Sequence, residues 1–184
     1  METSLSWLGR LATAPNGPDW RRLVDVYGPL LRGWLTRAGV PTGDHDDLVQ
    51  EVMVVVVRRV GEFDHRGPGA FRGWLRGILA NHIKKFFRDR PILPDIDLDA
   101  IADPDSVLGR QWDREHDEHL AGRALRAAEP DFAPATWQAF RRQIVDGRPA
   151  AEVAAELGLS LNAVLVAKSR VLKRIRSELV GLVE

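Results

Sequence analysis

Apolar positions recur every three to four residues along almost the whole chain, which is the period of an α-helix. Asp19 to Ala38 reads as a first helix, with Pro15, Gly17 and Pro18 before it and Gly39-Val40-Pro41 after it. Asp46 to Val60 reads as a second. Its "VMVVVV" run is locally strand-like, because β-branched residues favour strands. The polar residues Asp47, Gln50, Glu51 and Arg58 nevertheless share one helical stripe, which a strand would scatter. Ala70 to Arg88 forms the third helix. "RPILPDIDLDAIADPD" then carries three prolines among many acids and reads as a linker. Ser106 to Ala128, Pro134 to Val145, Pro149 to Leu157 and Leu161 to about Leu179 complete the pattern. There are no glycine-bounded alternating strands and no internal repeat. The expected fold is therefore all-α. Two small helical domains, residues 1–90 and 106–184, are joined by an acidic linker at 91–105, and the C-terminal one is a helix-turn-helix.

Composition changes this picture little. The chain has 184 residues, 45% hydrophobic and 28% charged, enough for one or two cored domains. It has no cysteine, so disulfides and thiolate metal sites are excluded. No apolar run approaches the roughly 20 residues of a membrane span. "METSLSWLGRLATAPNG" lacks a basic start followed by an apolar block, so no secretory signal and no membrane insertion are expected, and the expected location is cytoplasmic.

Charge is more informative. The formal net charge is zero, yet the signs alternate in blocks. Six acids face two arginines over 41–65, and seven bases face one acid over 66–90. Nine acids face two arginines over 91–119, and eight bases face three acids over 141–176. Two basic patches separated by an acidic joint suit a polyanion touched at two places.

The first basic block is "FRGWLRGILANHIKKFFRDR". On a wheel of about 100° per residue, Phe71, Leu75, Ile78, Leu79, His82 and Phe86 share the core face. His82 there reads as a core histidine. Gly73, Gly77, Ala80, Asn81, Lys84 and Arg88 lie opposite, with Trp74 and Lys85 at one margin and Arg72 and Arg76 at the other. Each glycine inside a helix costs about 1 kcal/mol relative to alanine, so something is expected to pack close to that backbone. Bases around an aromatic margin suit single-stranded nucleic acid, whose phosphates pair with Lys and Arg and whose bases lie on rings.

The second block, "PAAEVAAELGLSLNAVLVAKSRVLKRIR", has the layout of a helix-turn-helix. Ala150, Val153, Ala154 and Leu157 form a short apolar stripe. Gly158 follows where the turn needs positive φ, Leu159 plugs the angle, and Ser160 caps the next helix. Val164, Val171, Leu172 and Ile175 point inward, leaving Asn162, Ala163, Val166, Ser169, Arg170 and Lys173 outside. A helix so placed fits the DNA major groove.

In this order, "DDLVQEVMVVVVRRVGEF", the aromatic-basic segment, an acidic linker and a C-terminal helix-turn-helix, the chain resembles bacterial RNA polymerase sigma factors. The likeness is to the small extracytoplasmic-function (ECF) group of the sigma-70 family, and it covers nearly everything from Asp19 onward. The resemblance implies a non-enzymatic protein without cofactors, whose partners are core RNA polymerase, through the β′ clamp helices and the β flap, and promoter DNA. It also admits an anti-sigma factor. Carried over, Asp47, Gln50, Glu51 and Arg58 become the polymerase-binding stripe. Arg72, Trp74, Asn81, Lys84, Lys85 and Arg88 become the surface for the melted −10 element. Asn162, Ala163, Val166, Ser169, Arg170, Lys173 and Arg174 become the surface for the −35 duplex. Leu165 and Ala167 stand where relatives carry polar groups, so Arg170, Lys173 and Arg174 are expected to position phosphates more than the helix reads bases.

Two other classes fit parts of the pattern. A helix-turn-helix regulator acting without core polymerase would leave the acidic stripe unused. A metal-dependent hydrolase built on "DHDD" (Asp44 to Asp47) and His65 would need four adjacent residues to aim at one ion. The plainer reading of "DHDD" is an acidic helix start favoured by the helix dipole.

Overall fold

The structure is a computed structural model that describes Leu11, residues 17–63 and residues 69–179. The N-terminal segment weighed for a signal, Leu11 and Gly17 apart, and His65 lie outside the described residues. The fold is all-α. Eight α-helices and no strand occur among the described residues. They are α1 (Pro18–Arg37), α2 (His45–Arg59), α3 (Ala70–Arg88), α4 (Leu98–Ala102), α5 (Val107–Ala128), α6 (Pro134–Ile144), α7 (Ala150–Leu157) and α8 (Leu161–Leu179). None of them is long and apolar enough to cross a membrane by itself.

Local chemistry sets the ends of α1. Pro18 opens it, where a missing N–H costs nothing, and Asp19 and Arg37 complement the helix dipole at the two ends. It closes on Gly39 at φ 81°, with the Gly39 and Val40 amides donating back to the carbonyls of Thr36 and Leu35. Such a left-handed close strongly favours glycine.

The chain forms two compact units that divide between Leu120 and Ala121, inside α5. In the first, α2 packs on α1 and α3, and α3 packs on α4. Leu23, Val26, Tyr27, Leu31, Trp34, Val52, Met53, Val56, Leu75, Leu79 and Ile83 fill the core. Trp34 meets Trp112 of α5 edge-on at 5.5 Å.

The boundary thus differs from the sequence expectation of a linker at 91–105. That segment contains α4, capped by the Asp97 carboxylate, which accepts from the amides of Asp99 and Ala100. Ile101 is fully buried, and the Asp95 amide donates to the Ala38 carbonyl. Prolines and acids made the stretch look like a joint, yet one apolar residue and one cap suffice to seat a turn of helix. Ser106 then accepts from the Gly109 amide at 2.8 Å and starts α5.

In the second unit α6, α7 and α8 pack on one another. Val153 and Ala154 of α7 meet Ala139 of α6 and Val164 and Ala167 of α8. Trp137 and Phe140 of α6 meet Ala128 and Val171.

Candidate functional site: two helical surfaces

The first surface lies on α2 and α3. Asp47, Gln50 and Glu51 are all exposed and stand three and four residues apart, on one side of α2. With Val54 and Val55 they form one wall of a groove of about 510 Å³, and His82 and Lys85 of α3 form the other. Arg58 is exposed but does not line it. The sequence reading missed Val54. It is 41% exposed, and it continues the stripe seven residues beyond Asp47, a spacing that could have singled it out within "VMVVVV".

His82 corrects a sequence expectation. It is half-buried at the groove rim, with Nδ1 donating to the Ile78 carbonyl at 2.8 Å, and is not a core histidine. The "DHDD" side chains diverge. Asp44 pairs with Arg90 at 3.1 Å, His45 is buried and donates to the Val40 carbonyl, and Asp46 pairs with Arg32 at 2.8 Å. Asp47 remains at the groove. The Asp44 side chain makes no capping bond, so the acidic start acts on α2 through the dipole alone.

The outer side of α3 is narrower than the wheel suggested. Arg76 and Ala80, placed outside the core by the wheel, are buried, as are Ile83 and Phe87. The reason is a second layer on that side. Arg76 donates to Asp113 of α5 at 3.0 Å and to the Gly109 carbonyl, while the Trp112 indole donates to the Arg72 carbonyl. The six candidate residues separate accordingly. Arg72 is held by Asp113 at 3.2 Å and Asp117 at 2.8 Å. Lys84 pairs with Asp99 of α4 at 2.6 Å, and Arg88 with Asp89. Lys85 faces the α2 groove. Asn81 is exposed, and Trp74 is half-buried, its ring 4.9 Å from Phe63 and 5.7 Å from Phe71. A Cβ at Gly77 would meet nothing within 4 Å, so the helix backbone is open there. The acids of residues 95–117 therefore sit on the basic block. The exposed pairs of Lys84 and Arg88 are worth about 0–1 kcal/mol each, whereas Arg76 is buried with Asp113.

One buried group stands beside this layer. The His116 ring stacks on Tyr27 and lies 3.1 Å from Asp117 through Nδ1, while its Nε2 is buried without a partner. Burial holds the imidazole below its ordinary range, against the pull of Asp117. The neutral tautomer that donates from Nδ1 satisfies that geometry.

The second surface is the bent pair α7 and α8, which turn through 109°. Gly158 sits at φ 63°, Leu159 packs against the core, and the Ser160 hydroxyl accepts from the Ala163 amide at 3.1 Å. Val164 and Val171 are fully buried, with Leu172 and Ile175 packed partly against them. Asn162, Ala163, Val166, Ser169, Arg170 and Lys173 are exposed together, as the spacing predicts. Two residues depart from expectation. Arg174 is drawn away by Asp131 at 2.6 Å and Glu178 at 2.9 Å, and their hydrogen bonds raise its pKa further. Ala167 is a core residue and faces no ligand, because it lies on the buried side of α8 with Val164 and Val171.

No curated protein matches the chain. Residues 23–91, from within α1 to just past the end of α3, match the family model described as Sigma-70 region 2.

Proposed function

We propose that the chain is a sigma factor of the small two-domain ECF kind, which binds core RNA polymerase and directs promoter recognition and opening. The match of residues 23–91 to Sigma-70 region 2 carries the reading. The exposed α2 stripe of Asp47, Gln50 and Glu51, with Val54 in the same wall of the groove, suits a helical partner that offers bases around an apolar seam. In this reading that partner is the β′ clamp helices, and Arg58 extends the contact. The open face of α3 at Trp74, Gly77, Asn81, Lys84 and Arg88 takes the melted −10 strand. The α7–α8 pair acts as a helix-turn-helix on the −35 duplex, and the β flap holds the same domain. The protein works in the cytoplasm without a catalytic role, and an anti-sigma factor would act by covering these surfaces.

Reconstituting core polymerase with the chain and sequencing the transcripts tests the whole reading. Absence of any promoter-specific start would overturn it. Glu51→Lys tests the docking surface. Glu51 is exposed, so the fold should survive while core binding weakens by about tenfold or more. Unchanged binding would remove the α2 stripe from the interface.

A further inference from the structure

The outward stripe of α8 is chemically one-sided. It is centred on Asn162, Ser169 and Lys173, and between Asn162 and Ser169 it carries Leu165 and Val166, which are 48% and 44% exposed. Leu161 adds a further exposed apolar side chain, at 50%. None of these belongs to the core, which Val164, Ala167 and Val171 occupy. Ser160 is engaged as the cap. Through the first two turns the outward face therefore offers a single hydrogen-bonding side chain, the Asn162 amide, set among Leu161, Ala163, Leu165 and Val166. Farther along, Arg170 and Lys173 make no ion pair among the described residues, and α8 carries no acid before Glu178.

We infer that α8 reads its duplex through thymine methyl groups packed on Leu165 and Val166, with Asn162 on a neighbouring adenine, so that its target is a run of A·T pairs. The inference rests on the proposed action of the α7–α8 pair on duplex DNA. Major-groove edges present one apolar group, the thymine 5-methyl, whereas guanine calls for Arg or Lys and the cytosine amino group for an acceptor carboxylate. The reading face has no carboxylate, and its cations stand toward the later turns, where they suit phosphates. Asn pairs bidentately with adenine N6 and N7. Leu165, expected to weaken base reading, thus supplies it in another form, while Ala167 lies in the core.

The test uses core polymerase reconstituted with the full chain and a random-sequence duplex pool. Enriched duplexes are remade with uracil for thymine, one position at a time, which removes only the methyl. Binding should fall about fourfold at each methyl that Leu165 or Val166 covers, the value of one buried methylene. In Leu165→Ala or Val166→Ala the corresponding uracil effect should vanish, and both positions are exposed enough for the fold to tolerate the change. Enriched duplexes indifferent to uracil at every position, or an equal loss in the parent and both variants, would overturn the inference and leave the DNA-binding reading standing. Failure to enrich any duplex would overturn the DNA-binding reading itself, and the inference with it.

Discussion

Single residues carry constraints that a hydropathy pattern does not show. A Cβ placed on Gly109 would lie 1.9 Å from the Asp103 carbonyl oxygen and 2.9 Å from its carbon, so the start of α5 can approach that backbone only as glycine. Gly109→Ala should cost about 1–3 kcal/mol or more, since rigid backbone must shift, and should lower the urea midpoint. Gly122→Ala, whose Cβ would meet only the flexible end of Arg126, serves as the contrasting variant and should be neutral or stabilising. His116 sets a pH dependence. Burial lowers its pKa from 6.5, so between the folded value and 6.5 the unfolded chain holds a proton that the folded chain lacks. Stability is then complete above 6.5 and lost as the pH falls toward the folded value. The hydrogen bonds and charges of His116 and Arg72 outweigh burial and depress the Asp117 pKa from 3.8, so its contribution is lost only in stronger acid. His116→Gln keeps a donor for Asp117 and removes the titration. Urea midpoints at pH 7.5 and 5.5 should therefore lie closer together in the variant than in the parent, and an equal gap would assign the dependence to other groups.

At the scale of elements, the helices were legible because each carries its own punctuation. Pro18 and Gly39 bound α1, and Gly158 and Ser160 hold the α7–α8 turn, where a left-handed φ and a hydroxyl cap are local requirements. The α2 stripe was legible for the same reason, since spacing along one helix fixes a shared face. What failed depended on partners distant in sequence. Arg76 and Ala80 fall on the polar side of a lone wheel, yet both are buried, and the carboxylate that seats Arg76 there is Asp113, 37 residues later. Lys85 and Lys84 are neighbours in the chain but serve opposite sides, one toward the α2 groove and one toward Asp99. Gly77 offers a test of the open face of α3. With empty space over an added Cβ, Gly77→Ala should stabilise the helix by about 1 kcal/mol. If a single strand approaches that backbone, the same variant should slow promoter opening by the reconstituted polymerase. A stabilised variant that opens promoters at the parental rate would move the strand off Gly77.

On the scale of the whole molecule, the first unit draws on more chain than its core helices. Its fold runs through Leu120, and the segment after Arg90 contributes Ile101 and Trp112, both fully buried, together with the carboxylate that holds Arg76. A fragment ending at residue 90 keeps α1, α2 and α3 but leaves the Trp112 side of Trp34 and the aliphatic part of Arg76 facing water. Arg76 itself is rehydrated there, so its charge adds little to the deficit, which comes from apolar surface left uncovered. Ile101 and Trp112 together should account for about 3 kcal/mol or more. Residues 1–120 should accordingly unfold at a clearly higher urea concentration than residues 1–90, with a larger dependence on denaturant, since more surface is exposed on unfolding. Asp113→Ala in the full chain isolates the electrostatic part. Arg76 then stays buried without its counter-charge, at a cost toward the lower end of about 3–5 kcal/mol, because Asp113 is itself 32% exposed and water can replace it in part. Equal midpoints for the two fragments would mean that the acidic segment lies on the first unit without stabilising it. A large fragment difference with a neutral Asp113→Ala would assign the whole contribution to Ile101 and Trp112.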